Sequence, residues 1–302
     1  MRYRPLGPSG AIVSAITLTL APDPARSRAS DWVALIYAAL ESGMNSFEVN
    51  GGDLAVMEGL GAALAAVERD LVFVSLRLGP TPGPDGHRRA FSIDGLAAQV
   101  RTALAHTGLD RLNAAMLDDP PIDSLAEAAE ALGQIKASGE VLLAGVASDG
   151  AALDACIACG AFDLLAMPFN ITSTWRERNR LREASARDLG VISSQPYPRG
   201  MDQLIEASKL RSAGEHRGGA ALAGVGTYAF LNATPGWTAE EICVAYALTE
   251  PAIGTVQIPA PPLSRLESLA AAPSREMPPG LSAQIEMARF SIEAPPEQMR
   301  RA

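Results

Sequence analysis

Cysteine is scarce in this chain, three in 302 residues and an odd number. That excludes a disulfide-stapled scaffold and points to a reducing compartment. Basic residues are also short, 25 Lys and Arg against 34 Asp and Glu, for a formal net charge of −9. No basic cluster interrupts that balance, which argues against a nucleic-acid surface. No run of roughly 18 apolar residues is available to cross a bilayer, and the opening MRYRPLGPSG has no apolar signal-peptide core. A soluble cytoplasmic protein is the expectation. What the chain does have is apolar material, 48% of residues with only 20% charged. That is enough for a large core, in one big α/β domain or two ordinary ones.

Cys156 and Cys159, in DACIACG, have dithiol spacing. They fall inside a segment of helical periodicity rather than just after a strand. Packing as small apolar residues is therefore expected ahead of a redox or metal role. Cys243 has no evident partner.

Short apolar runs alternate with helical patterns nearly end to end. Strands are predicted at Ala15–Leu20, Asn45–Val49, Leu71–Leu78, Asn113–Leu117, Leu142–Ala147, Leu164–Met167, Val191–Gln195 and Gly254–Pro259. Helices are predicted at Asp31–Ser42, Leu54–Val67, Ile93–Thr107, Ser124–Ser138, Ala151–Cys159, Thr174–Leu189, Thr238–Thr249 and Leu263–Ala271. Asp31, Ser124 and Thr238 read as helix starts. Gly43, Gly108, Gly139, Gly160 and Gly190 read as stops.

Strand–helix units in series imply parallel strands with helical crossovers. The count fits an α/β protein built as a closed (β/α)8 TIM barrel, 1–302 as one domain, with an N-terminal hairpin and a C-terminal helical tail. An open doubly wound sheet is the alternative, but it normally carries a Gly-rich phosphate loop after its first strand, and LTLAPDPARS is not one. Two segments break the rhythm after strands: the Pro/Gly-rich loop Gly79–Arg89 and the long stretch Pro198–Gly236. Both would lie on the C-terminal face of a barrel, where long loops tend to carry function. The tail from 292 to 302 is expected to be loosely ordered.

In order along the chain, YRPLGPSGAIVSAITL, LESGMNSFEVN, GLDRLNAAMLDDP, LLAGVASDGAALDAC, FDLLAMPFNIT, LGVISSQPYPRG and EPAIGTVQIPAPPLSRLES resemble successive units of the aldo-keto reductase superfamily. The resemblance implies that family's barrel, hydride transfer from a nicotinamide cofactor, and a catalytic tetrad of Asp, Tyr, Lys and His. A tyrosine near pKa 10 serves as an acid only when its surroundings lower that value, hence the neighbouring cation. Carried onto this chain, the aspartate position holds Glu48 and the tyrosine position Asp53, in a loop with Gly51 and Gly52. The lysine position holds Arg77 and the histidine position Asp118. Arg77 stays protonated and cannot share a proton as lysine does. Glu48 and Arg77, on neighbouring strands, look like an ion pair at the barrel mouth.

The resemblance also marks a cofactor site. It falls on Ser148 beside Ala147, on Ala166, on Ser194, Gln195, Pro196, Tyr197, Arg199 and Gly200 of the pyrophosphate loop, and on Ile258, Arg265 and Ser268 near the last strand. Arg265 alone is offered for a 2′-phosphate, so NAD(H) is expected over NADP(H), with no bound nucleotide as the remaining alternative.

The altered tetrad leads to a catalytically degenerate member that binds and regulates. It resembles the KidO type of bacterial regulator, which implies protein partners, FtsZ and a histidine kinase among them, and a role in cell division. An active reductase of aldehydes or ketones, with Tyr197 or Tyr228 as a relocated acid, is the alternative. His87 lies in the loop after the third strand, while His106 and His216 read as solvated. A third reading groups Glu48, Asp53 and Asp118 around Mg²⁺, but Arg77 among them opposes it.

Overall fold

The computed structural model describes residues 1–83, 86–89, 91–150, 152–198, 201 and 230–293. Strands β1 (Tyr3–Pro5) and β2 (Ile12–Ser14) pair antiparallel as an N-terminal hairpin. The barrel begins with β3 (Ile16–Leu20), β4 (Ser46–Asn50) and β5 (Phe73–Leu78). After it comes a small antiparallel pair, β6 (Pro80–Gly83) and β7 (Gly86–Arg89), where the sequence suggested only a loop. The barrel resumes with β8 (Leu112–Asp118), β9 (Val141–Ala147), β10 (Leu164–Pro168), β11 (Gly190–Ser194) and β12 (Ile253–Pro259).

Every barrel neighbour is parallel, and β12 returns to pair with β3 from Val256↔Ile16 to Pro259↔Thr19. That closure rules out the open doubly wound sheet. Around the strands lie α1 (Ala29–Glu41), α2 (Leu54–Leu64), α3 (Ile93–Thr107), α4 (Leu125–Ala137), α5 (Leu153–Ala158) and α6 (Trp175–Ala186). Then follow α7 (Phe230–Ala233), α8 (Ala239–Ala247), α9 (Leu263–Ala271) and α10 (Leu281–Glu293). Helix α10 includes the first residues of the expected tail; 294–302 lie outside the described residues, as does most of the stretch expected as a long loop. No helix among the described residues is long and apolar enough to cross a membrane.

Residues that alternate along each strand divide the core in two. Leu18, Leu20, Phe47, Val49, Val74 and Leu76 point outward and pack with helix residues such as Trp32, Leu35 and Leu60. Inside the barrel, Phe73, Ala114, Met116, Leu164, Ala166 and Ile192 form a separate cluster with Leu6 and Val13 of the hairpin. Leu6, fully buried, plugs the N-terminal end. Above this apolar floor a hydroxyl layer begins, with Thr17 Oγ1 bonded to Ser46 and Thr255 at 2.7 and 2.9 Å. The pore is therefore closed by hydrocarbon below and polar above.

The helix punctuation needs three corrections. Asp31 is not the cap of α1 but sits in its first turn, its carboxylate accepting from the Arg28 backbone N–H and guanidinium. Ser124 precedes α4 without capping it, because its hydroxyl turns back to donate to the Pro121 carbonyl. Gly190 is not a helix stop. Asp188 takes the left-handed backbone, φ 59°, and Gly190 opens β11 pressed beneath the hairpin. A Cβ at Gly190 would stand 2.8 Å from the Leu6 carbonyl oxygen, a contact only glycine permits. Thr238 does cap α8, in a reciprocal box with Glu241.

Candidate functional site

The C-terminal ends of the strands open onto a cavity of about 530 Å³. Strand alternation decides which side chains reach it. With Leu18 and Leu20 facing the helices, Thr19 faces the pore; with Phe47 and Val49 outward, Glu48 and Asn50 face in. The same rule brings in Arg77, Asp118, Gln257 and Pro259, and it turns Ile258 outward, fully buried against the helix layer. Register then sets them beside one another, Thr19 opposite Glu48, Asn50 opposite Arg77 and Asp118 opposite Ala147.

Glu48 and Arg77 form the ion pair that their neighbouring strands suggested. Arg77 Nη2 donates to both Glu48 oxygens at 3.0 and 3.2 Å and to Gln257 Oε1 at 3.2 Å, while Nη1 donates to Asp118 at 3.2 Å. Gln257 Nε2 closes the ring by donating to Glu48 Oε2 at 2.6 Å. Glu48 is fully buried and the Arg77 side chain only 14% exposed, so little water competes for these bonds. Burial by itself would lower the Arg77 pKa. Glu48 and Asp118 outweigh it and hold the guanidinium above its ordinary value. The group is a fixed cation, not a proton shuttle.

Asp53 does not join this cluster. Its carboxylate accepts from the Val56 backbone N–H at 3.2 Å and caps α2, at the end of a turn that Gly51 makes with φ +96°. An aspartate just before an apolar helix finds two unsatisfied amides within reach, and that local pull holds it out of the cavity lining. Among the described residues no three His, Cys, Asp or Glu side chains are placed to hold a metal ion.

The rim is built from two non-glycine residues with positive φ. Asp119, φ 46°, accepts from the Ser148 hydroxyl at 2.9 Å. Gln195, φ 50°, donates from Nε2 to Asp149 at 2.9 Å, while its carbonyl accepts from Asn170 Nδ2 at 3.0 Å. Such conformations cost on the order of 1–3 kcal/mol each, and they persist because surrounding bonds fix them. Ser194, Pro196 and Tyr197 complete this side of the lining. Burial, with Glu240 adding to it, pushes the Tyr197 hydroxyl well above the usual phenol range.

Of the remaining residues marked in the sequence, Arg265 pairs with Glu240 at 2.8 Å, and Ser268 donates to the Arg265 carbonyl at 3.1 Å. Neither is among the cavity-lining residues. Arg199, Gly200, His216 and Tyr228 lie outside the described residues, as does the His87 side chain. His106 lies far from the pore on α3, 3.5 Å from Glu58. The cysteines are free: Cys156 is buried, its thiol pushed up to about 12, while Cys159 is exposed and donates to the Cys156 carbonyl. Thr19, Asn50, Asp119, Asp149, Gln257 and Pro259, none of them marked by a motif in the sequence, also line the cavity. Gln257 had a signal, as a polar residue alternating with Val256 and Ile258 in an apolar strand.

A closed parallel barrel with a polar, ligand-sized cavity at its strand C-termini belongs to the class of proteins that bind or transform small molecules there. Residues 19–285 match the Aldo/keto reductase family, and the chain belongs to that family. Among solved structures it is similar to the aldo-keto reductase AKR11C1 from Bacillus halodurans in its holo form. The TM-score is 0.76 at 15% identity, over 95% of this chain and 96% of that one. At that identity the likeness is one of fold. A search of curated protein sequences returned no match.

Proposed function

We propose that this chain is a binding member of the aldo/keto reductase family, one that takes NAD(H) in its cavity without reducing carbonyls and acts as a regulator through protein partners. One observation carries the loss of chemistry. At the mouth, Glu48, Arg77 and Asp118, joined with Gln257 in one hydrogen-bonded cluster, occupy the positions that the resemblance assigns to an aspartate, a lysine and a histidine. The position assigned to the acid holds a carboxylate committed to capping α2. Arginine keeps its proton, so no cation here can lend one to a neighbour. Loss of a general acid alone costs on the order of 10²–10⁴ in rate.

The lining fits the ring end of a nicotinamide dinucleotide better than a phosphate. Ser148, Gln195 and Asn50 offer hydrogen-bonding groups, and Pro196 with Tyr197 an apolar wall. Among the described lining residues the one cation is Arg77, already shared among Glu48, Asp118 and Gln257. Arg265, the residue marked for a 2′-phosphate, is paired with Glu240. This supports NAD(H) over NADP(H). The regulatory part rests on the KidO-type resemblance, with FtsZ and a histidine kinase as the partners to test by pull-down.

Fluorescence titration with NADH and NADPH tests binding, with saturation expected for NADH at lower concentration. Hydride transfer to a panel of aldehydes and quinones tests the absence of turnover. A rate above about 1 s⁻¹, the lower end of ordinary enzymes, would overturn this reading. It would favour the alternative in which Tyr197, which does line the cavity, serves as the acid. Tyr197→Phe would then abolish that rate. The raised pKa of its hydroxyl counts against that role.

A further inference from the structure

The C-terminal helix α10 stands on the outside of the barrel, yet a continuous set of hydrogen bonds links it to the cavity rim. Arg289, buried to 9% exposure, donates from Nη1 to the Ser173 carbonyl at 2.8 Å. Glu286, one turn earlier, fixes that guanidinium by accepting from its Nη2 at 2.5 Å. Ser173 lies in the loop between β10 and α6, and that loop is folded tightly on Asn170. The Ser173 hydroxyl accepts from the Asn170 N–H at 2.9 Å, and the Ser173 N–H donates to the Asn170 carbonyl at 2.9 Å. Asn170 Oδ1 accepts from the N–H and hydroxyl of Thr172 at 2.9 and 2.6 Å, which leaves its Nδ2 aimed at the Gln195 carbonyl, 3.0 Å away.

Gln195 is the residue whose backbone most needs holding. Its φ of 50° is unfavourable for a side chain with a Cβ, and its Nε2 reaches along the rim, past the end of β10, to Asp149. A second bond runs the same way, from the Phe169 N–H to the Ser194 carbonyl at 3.2 Å. The carboxylate that fixes Arg289 also anchors α10 to its neighbours. Glu286 accepts from Arg178 Nη2 and from the Tyr246 hydroxyl, each at 2.7 Å, and so ties α10 to α6 and α8.

We infer that Arg289 and Asn170 are positioning residues for the cavity rim. Docking of α10 fixes the β10–α6 loop, and the loop's Asn170 side chain holds Gln195 in the conformation that carries its amide to Asp149. The rim is thus set from outside the barrel by a helix that touches no ligand. This holds whichever ligand the cavity takes, because every bond in the relay lies within the chain. Arg289 makes further contacts as well, so the conservative variant matters as much as the truncation.

Hydrogen–deuterium exchange of the full-length protein tests this without any ligand. In Asn170→Ala and in Arg289→Ala, exchange in the peptide covering 190–198 should speed by about tenfold, the equivalent of one lost hydrogen bond. Peptides covering β4 and β5, on the side of the barrel opposite β10 and β11, should keep their wild-type rates. Arg289→Lys, which can still donate to the Ser173 carbonyl, should restore most of the protection. The double variant should show little more than either single one, since both cut one relay. If exchange in Arg289→Ala rises only in α10 and the β10–α6 loop, with 190–198 unchanged, the inference fails. A uniform rise over all peptides would also overturn it, since that is the signature of a merely structural arginine. Titration with NADH supplies a second readout. Weaker binding in both variants is expected where the wild type binds, and absence of binding by the wild type would bear on the proposed function alone.

Discussion

Removing Arg77 is the sharpest test of the mouth. In Arg77→Ala, Glu48 keeps one donor, Gln257 Nε2 at 2.6 Å, and loses the two guanidinium bonds at 3.0 and 3.2 Å. Glu48 is fully buried, so water cannot replace them without entering the pore. Breaking a buried pair by deleting one partner typically costs about 3–5 kcal/mol. The retained glutamine and the nearby cavity place this case toward the lower end, about 3 kcal/mol. Replacing Arg77 and Glu48 with apolar groups of similar volume, Arg77→Met with Glu48→Leu, removes the fully buried stranded charge and leaves only the part-exposed Asp118 without its guanidinium. That change should cost less than either single truncation. The assay is urea unfolding followed by tryptophan fluorescence. The midpoint of Arg77→Ala should fall clearly, Glu48→Ala should fall as well, and the paired replacement should recover most of the loss. If the double variant were as unstable as the sum of the singles, the two side chains would not act as one neutralised unit. The claim that they form a fixed ring would then be refuted.

Asp53→Ala should destabilise the protein by about 1 kcal/mol through loss of the α2 cap, read as a lower thermal midpoint, and leave NADH titration unchanged. Alkylation of the native protein by iodoacetamide near neutral pH should label Cys159 and spare Cys156 and Cys243, which burial keeps protonated, as peptide mapping would show. Asp154 is held at about 2 by its bonds to Arg180 and Arg176, below its ordinary 3.8. A depressed carboxylate stabilises above its unfolded pKa and loses that contribution as pH falls through the folded value. The gap in urea midpoint between wild type and Asp154→Asn should therefore be present above about pH 4 and close toward pH 2, remaining under about 1 kcal/mol for so exposed a pair. Gly190→Ala should cost at least as much as the cap variant, since its methyl would collide with the Leu6 carbonyl, and circular dichroism melting would show it.

Periodicity and turn chemistry carried the barrel far: α3 and α9 fall at their predicted bounds, and Gly43, Gly108, Gly139 and Gly160 all take the left-handed backbone. These signals are local, written within a few residues of where they act. Pore membership was legible only in part. Glu48, Arg77 and Asp118 could be placed by their positions on strands, and alternation brings all three inward. Asp53 could not, because a helix cap a few residues away competes for its carboxylate, and spacing does not say which partner wins.

By itself the sequence determined the order of the elements, the parallel sense of the sheet and the polar character of the strand ends, because each follows from a repeat of two or nearly four residues along the chain. Only the tertiary structure decided that β12 closes on β3, that Gln257 bonds to Glu48 across 209 positions of sequence, and that Arg289 reaches the Ser173 carbonyl. Those contacts join residues far apart in the chain. They depend on how the barrel closes and how its helices dock, and no local pattern records a register between strands that meet only after folding.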